Sequence, residues 1–498
     1  MEKTKKTKVF SKKELILLIS LFVLSALYFC LLKLWLFDNL KFTADSFIFH
    51  QMINNAMDGG FFSENTYGNH FGIHTYFIIV FFIPLTLLFK SVISFYFAYA
   101  ILFASGIFPV YAIVKHLLKR PQKLKINAFN WNWLIPTLSA LIYLFLPFHQ
   151  FLLADLMHGF HFDSLFLPLF VWAFYFLIIR KNRLAYFIFF ALVLLVKEEM
   201  AIYMATFGIF LLFKKEFRKT GIYTIISSII FFILAALLIN YCSSQAVLAP
   251  EIVDWNKSLF KGYGDSYLEI GFNIITTPSA YLNENVFNQF IKVSKPYYFI
   301  GFLSPEILVL TFPKIIIGVI TGKLTGYPWH YAPVYTFSFL AFLMALGRIM
   351  WFSDKIEKFK QLYAKILIAI IVLIIATQSL WAFVDRWDHS KIITQELEPD
   401  IQEISELMNQ VIPKMDPDAL VMPYMLYMRY FQNFNTINFS PGEKRIEMIK
   451  EFDPDYFVVQ LNQEEIVQRD LIEYYQETNG HEYQELERND YFVVLEKL

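Results

Sequence analysis

A Lys197-Glu198-Glu199 triplet interrupts an apolar stretch that runs from Leu184 to Phe213. Ionisable groups in such a place are costly near a bilayer and mark a cavity or a function. The plain reading is a buried ion pair that only ties two helices together. The alternative is a triplet facing a wet cavity, where it can meet a ligand. His158, His161 and Asp163 stand close together in another polar loop. They are donor types suited to a divalent ion, although loop spacing of this kind more often makes a structural hydrogen-bond network. Asp45 has the chemistry of a general base, but it equally suits a solvated loop or the N-cap of a following helix. His50 and His74 read as packed or interfacial histidines, and His330-Tyr331 as an interface anchor. What lifts these groups above their plain readings is convergence. Seven of the ten His, namely His50, His70, His74, His149, His158, His161 and His330, fall in or beside segments expected at one membrane face. Asp45, Asp155 and Asp163 join them there.

The elements that must position these groups are membrane spans. Of 498 residues 57% are hydrophobic and 17% charged, too few polar groups to cover a soluble protein of this size. A soluble enzyme, a disordered chain and a nucleic-acid binder are excluded on that ground. Spans of roughly 20 apolar residues begin near Leu15, Val92, Trp133, Ser164, Gly221, Trp329 and Ile366, with a pair around Lys197. The first, from Leu15 to about Phe37, is too long for a cleaved secretion signal. Cys30 and Cys242 are too few for a disulfide framework.

Charge sets the expected orientation. The segments 1–14, 115–125, 180–183, 214–219 and 353–365 hold 22 basic residues, whereas 37–72, 148–163 and 197–199 hold only Lys41 and Lys197. Basic loops stay cytoplasmic. The N-terminus is therefore expected inside and the polar loops outside. For 115–125 to remain inside, 73–89 cannot be a full crossing; it is expected along the outer interface, bent at Pro84. The region Pro296–Thr321 must likewise contribute an even number of crossings, as a short hairpin or a re-entrant helix. The expected count is about nine to eleven spans.

The chain divides accordingly. Residues 1–384 form a multispan membrane domain with outer-face loops 37–91, 148–163 and 242–296. Residues 385–498 form an extracytoplasmic α/β domain, acidic because it holds 24 Asp and Glu against 10 Lys and Arg. Its expected strands are Ala419–Met422, Tyr456–Gln460 and Tyr491–Leu495, and its helices 397–412 and 464–476. It has no P-loop, dinucleotide fingerprint or zinc spacing.

The order of these motifs resembles a group of uncharacterised bacterial multispan membrane proteins related to the GT-C glycosyltransferases. In that group a Phe-Asp-Leu-Gly-Ile-Phe-Asp-Gln-like stretch follows the first span; here it reads Ala44-Asp45-Ser46-Phe47-Ile48-Phe49-His50-Gln51. The second acidic residue of the pattern is His50, which argues against a two-carboxylate metal site. Asn69-His70-Phe71 is similar to its Asp-His-Phe element, and Phe160-His161-Phe162-Asp163-Ser164-Leu165 to its Phe-His-Pro-Glu-Ala-Leu element. Lys197-Glu198-Glu199 stands for Lys-Glu-Asp, followed by Pro305-Glu306 and His330-Tyr331.

The resemblance implies a mainly α, GT-C-like helix bundle in the cell (inner, cytoplasmic) membrane. It also implies transfer of a sugar from a polyprenyl-phosphate donor to an extracytoplasmic glycan, lipid or protein acceptor. On that reading Asp45 is the catalytic base. Lys197, His70, His330 and Tyr331 bind the donor phosphate, and His161, Asp163, Glu198 and Glu199 orient substrate. Metal dependence stays open, with a divalent cation as the candidate cofactor. Two other classes stand beside this one: a transporter or flippase for a lipid-linked or polar substrate, and a membrane anchor for the C-terminal domain.

Overall fold

The computed structural model describes residues 9–43, 45–60, 62–65, 68–118, 131–243, 284–321, 328–354, 360–437, 452–460 and 483–498, with isolated residues between 269 and 277. It is a bundle of membrane helices carrying a small mixed sheet near the C-terminus. Among the described residues six helices are long and apolar enough to cross a membrane, and a seventh if Trp133–Phe145 and Pro147–Ala154, bent by 46°, make one span. Pro147 explains the bend, since a proline nitrogen cannot continue the helical ladder.

Ion pairs fix which helix ends lie together. Lys115 Nζ lies 2.5 Å from Glu14 Oε1, and Lys181 Nζ 2.7 Å from Glu216 Oε1. The described basic residues beside these pairs, Lys12, Lys13, Lys115, Lys181, Lys214 and Lys215, thus share one end of the bundle. The other end carries Asp45, Asp163, Lys197 and His330. Helix Lys12–Asp38 climbs to this second end and the run Ile93–Leu118 descends from it. Between them helix Asp45–Met57, the short pair Ser63–Glu64 and Gly68–Asn69, and the helical pieces Phe77–Phe81 and Ile83–Phe89 all stay there. This agrees with the shallow placement expected for 73–89.

The helices differ in how they meet lipid. Phe162–Ile179, Trp329–Ser353 and Ile93–Leu118 are 78%, 72% and 67% buried inside the protein and form the centre. Lys12–Asp38, Lys215–Ser243 and Leu362–Arg386 are mostly uncovered, and their outward Leu, Ile and Val face lipid. Helices Met200–Leu212 and Arg218–Ser243 touch closely, because a Cβ on Gly221 would stand 2.7 Å from the Gly208 carbonyl oxygen.

Two elements are shorter than a bilayer requires. Helices Arg183–Val196 and Met200–Leu212 have 14 and 13 residues, roughly 20 Å each at 1.5 Å per residue, against a hydrocarbon core of about 30 Å. Their outer ends are Arg183 and Lys214 at the basic end, so the triplet joining them is recessed below the opposite rim. Residues 284–320 form a helical hairpin. Helix Glu284–Ser294 packs on Phe312–Ile320 through Phe290 and Phe312, whose ring centroids are 5.0 Å apart. Its tip reaches far along the central helix, with Tyr297 stacked on Phe342 and Arg348 bonded to Glu306 at 2.5 Å. By length and composition the described residues give six spans, or seven with the bent pair, fewer than the nine to eleven expected, because the hairpin and the short pair are built of helices of only 9 to 14 residues.

The C-terminal sheet has five strands in the order Asn435–Thr436, Leu420–Pro423, Tyr456–Gln460, Phe492–Lys497, Tyr483–Arg488. The first two pairings are parallel and the last two antiparallel. Three strands and the helix Pro399–Val411 match expectation within one to two residues at each end, and helix 464–476 lies outside the described residues. The sheet docks on the site end. Arg429 pairs with Asp38 at 3.1 Å, and the Gln51 amide donates to the Thr436 carbonyl at 2.9 Å.

Candidate functional site

Local structure explains why the charged triplet sits where it does. Lys197 is extended (φ −170°, ψ 152°) and caps the C-terminus of helix Arg183–Val196. Glu198 and Glu199 precede the N-terminus of Met200–Leu212. Both placements suit the helix dipoles. The loop facing them is shaped as tightly. Helix Pro147–Ala154 ends on Asp155 in the left-handed region (φ 40°), and Gly159 takes φ 73°. A Cβ on Gly159 would stand 2.6 Å from the Phe42 ring, so only glycine fits. The buried Lys33 ammonium donates to the carbonyls of Ala154 and Gly159 and pins this loop to the first helix. His161 then caps the 3-10 turn Phe162–Leu165, its Nδ1 accepting the Asp163 N–H at 3.3 Å.

These elements bring the groups into one net. Asp163, fully buried, is its centre: its Oδ2 lies 2.9 Å from His330 Nδ1 and 3.3 Å from Lys197 Nζ. Its Oδ1 lies 3.3 Å from His161 Nδ1. The other imidazole nitrogen of His161 is 3.9 Å from Asp45 Oδ2, and His158 Nε2 is 3.6 Å from the same oxygen. One imidazole and one carboxylate thus separate Asp45 from Lys197. Because His161 Nδ1 meets both the Asp163 N–H and its carboxylate, the proton on His161 decides which contact it makes. Glu199 is held by Lys314 at 2.9 Å, by the Tyr203 hydroxyl at 3.1 Å and by Lys197 at 3.8 Å. Glu198 takes His74 at 2.8 Å and the Thr75 N–H at 3.0 Å.

The environment around this net is aromatic. Trp329 stacks on His161 at 5.3 Å, and Lys197 sits 5.9 Å over the Tyr76 ring. The Tyr76 hydroxyl reaches His161 Nε2 at 3.4 Å. His70 stacks on Tyr76 at 5.9 Å, and its Nδ1 is buried without a hydrogen-bond partner. Burial above all, then repulsion from His74, pushes the His70 imidazole down to about 3, so it is neutral at physiological pH.

Asp45, His70, His161, Asp163, Lys197, Glu198, Glu199 and His330 therefore share one site. Two expectations need correction. Lys197 is not a free phosphate contact: it is 3% exposed and its ammonium is already committed to Asp163 and Glu199. Tyr331 does not reach the net; its ring lies 6.1 Å from Tyr335 and its buried hydroxyl has no hydrogen-bond partner. Glu306 belongs elsewhere too, paired with Arg348 towards the far end of the central helix. Sequence reasoning missed Lys314, whose signal is a lone cation in the apolar run Phe312–Ile320. It also missed Tyr76 and Lys33, which carry no signal apart from their neighbours in space.

Asp163, Glu199 and His330 have donor atoms within 4.8 Å of one another, a set that suits a divalent ion. Lys197 and Lys314 stand on the same two carboxylates, so an ion there must displace an ammonium. Among the four carboxylates Asp45 is the accessible one, with a side chain 31% exposed against 0% for Asp163 and 16% for Glu199.

The chain belongs to the family described as predicted membrane proteins (DUF2079), whose model matches residues 37–427. No curated protein matches it by sequence. In structure it is similar to ArnT from Cupriavidus metallidurans, solved as a crystal structure bound to undecaprenyl phosphate. The TM-score is 0.54 at 8% identity, over 98% of each chain. The likeness is one of fold, and it is the GT-C-like fold that the motif order implied.

Proposed function

We propose that this member of the DUF2079 family is an integral-membrane glycosyltransferase, moving a sugar from a polyprenyl-phosphate carrier to an extracytoplasmic acceptor. The observation that carries this reading is Asp45: an accessible carboxylate flanked by two imidazoles at the mouth of a recessed, ion-paired polar net. The undecaprenyl phosphate held by the ArnT neighbour supports the choice of carrier.

Asp45 takes or orients the acceptor hydroxyl proton as the acceptor oxygen attacks the sugar's anomeric carbon. The bond from that carbon to the carrier phosphate breaks, and the phosphate leaves with the electron pair. His158 and His161 hold the carboxylate and pass its proton on. Lys197 and Lys314 keep Asp163 and Glu199 ionised and fixed, so the net is preorganised rather than rebuilt at each turnover. The acidic C-terminal domain sits over helix Asp45–Met57 and meets the acceptor.

In vesicles containing the purified protein, a polyprenyl-phosphate sugar and an envelope acceptor extract, Asp45→Asn lowers transfer by about 10²- to 10⁴-fold. Unchanged transfer by Asp45→Asn refutes the base assignment. One observation favours a transporter instead: the buried Lys197, Lys314 and Asp163, with the partly buried Glu199, lie at membrane depth. Passage of the lipid-linked substrate across the vesicle wall without any new glycoside decides for that reading.

A further inference from the structure

The charge at the site poses a problem that the rest of the molecule answers. Asp45, Asp163, Glu198 and Glu199 face only two ammonium groups, Lys197 and Lys314, both already paired. A lipid phosphate placed among these carboxylates meets like charge at close range and is repelled. Its counter-charge must come from outside the net but from the same end of the bundle. Three cations there are committed, Lys41 to Glu398 at 3.2 Å, Arg429 to Asp38 at 3.1 Å and Lys33 to backbone carbonyls, while Lys90 and Lys391 make no ion pair among the described residues but stack on no ring.

Arg386 is different. It is the last residue of the final span, at the site end. Its guanidinium carbon lies 4.1 Å from the centre of the Phe151 ring and 5.7 Å from that of Trp387. Among the described residues it makes no ion pair and donates no hydrogen bond. A half-buried guanidinium offers five N–H donors in a planar fork that suits an anionic acceptor. Stacking on a ring leaves the edge of the fork open, the geometry that grips a phosphate through two parallel bonds. Beside it the Trp387 Nε1–H is buried with no acceptor among the described residues. The last turns of the Arg386 helix carry exposed apolar side chains on their other faces, Trp381 at 70% and Val384 at 60%, and Phe151 itself is 37% exposed. Phe151 belongs to helix Pro147–Ala154, which leads directly into the loop of His158 and His161.

We infer that Arg386, stacked on Phe151 and assisted by the Trp387 N–H, seats the phosphate of an isoprenoid lipid carrier at the membrane rim, outside the carboxylate net. This rests on the function proposed above. The chain of the carrier lies along the apolar flank, and its headgroup reaches over Leu156 towards Asp45. The anion is thereby kept off the acidic net while the sugar is presented to it.

The test is lipid binding by the full-length protein in nanodiscs, read by native mass spectrometry with undecaprenyl phosphate, phosphatidylglycerol and inorganic phosphate as probes. Arg386→Gln is expected to weaken undecaprenyl phosphate binding by on the order of tenfold to a hundredfold. Arg386→Lys, which keeps the charge and the ring contact but not the fork, falls between Gln and the wild type. Asp45→Asn retains binding while losing transfer. Phosphatidylglycerol and inorganic phosphate bind weakly, with little dependence on Arg386. Binding by Arg386→Gln and Arg386→Lys within twofold of wild type overturns the seat. An equal loss of phosphatidylglycerol overturns the carrier assignment, since the site then holds bulk leaflet lipid. A wild-type protein that binds no undecaprenyl phosphate refutes the proposed function, whereas wild-type binding that Arg386→Gln leaves untouched refutes only the seat.

Discussion

Replacing Lys197 with methionine separates two accounts of this residue. Lys197 and Asp163 are 3% and 0% exposed, with 3.3 Å between Nζ and Oδ2. At an effective dielectric near 20, two unit charges at that distance attract by about 5 kcal/mol, before the desolvation of each is subtracted. Methionine fills the same volume but leaves Asp163 buried with only His330 and His161 beside it. Removing one partner of such a pair costs about 3–5 kcal/mol. Converting Asp163 to asparagine in the same chain removes the stranded charge, so the double variant Lys197→Met/Asp163→Asn is more stable than the sum of the single losses by about 1–3 kcal/mol. The assay is the apparent melting temperature of the detergent-purified protein, measured by size-exclusion after heating, for the wild type, both singles and the double. A Lys197→Met protein that melts with the wild type, or a double variant at or below the additive value, refutes the ion-pair account. In that case Lys197 is available to a phosphate after all, and its loss raises the KM for the lipid donor instead.

The same logic applies to Lys314→Met. It leaves Glu199 to Lys197 at 3.8 Å and lowers stability by about 3 kcal/mol in the same melting assay, with Glu199→Gln restoring part of it. Gly159→Ala places a Cβ against the Phe42 ring at a positive φ; it lowers the melting temperature and displaces His158 and His161, so transfer falls more than tenfold by a reasonable catalytic scale. Acid sensitivity follows from two buried histidines. Burial pushes His50 down to about 4 and His70 to about 3, from an ordinary 6.5. The unfolded chain therefore binds more protons than the folded one between these values, and their contribution is complete above 6.5 and lost as pH falls towards 3. Melting temperatures measured across that range fall with pH, and His70→Gln makes the fall shallower.

How much of this was legible in the chain differs by feature. The Lys-Glu-Glu triplet at 197–199 announces itself, because three charges between apolar runs have no other stable place than a polar recess. The shallow segment at 73–89 followed from the position of Lys115 through basic-loop asymmetry, whereas the hairpin expected within 296–321 begins earlier, at Glu284, in a stretch that reads as an outer loop. Strand Tyr456–Gln460 is apolar from end to end and was legible to the residue. Lys197 was legible as a site residue but not in its role, since its partner Asp163 is 34 positions away. Lys314 and Glu199 are 115 apart, and His330 and Asp163 are 167 apart. Nothing in the linear order of residues says that those three pairs meet.

Composition and charge order alone determined that this is a multispan membrane protein, where its polar loops gather, and that an acidic α/β region follows the last span. Each of these depends on how one segment partitions between water and lipid, a property the segment carries by itself. Which carboxylate is ion-paired, that Asp45 alone of the four stays open, and that Arg386 has no acidic partner among the described residues were decided only in three dimensions. Those outcomes depend on the rotation and depth of separate helices, set by Gly208 against Gly221, by the Pro147 bend and by the short run from Arg183 to Val196. A difference of a few ångströms between packed helices there separates a paired charge from an exposed one.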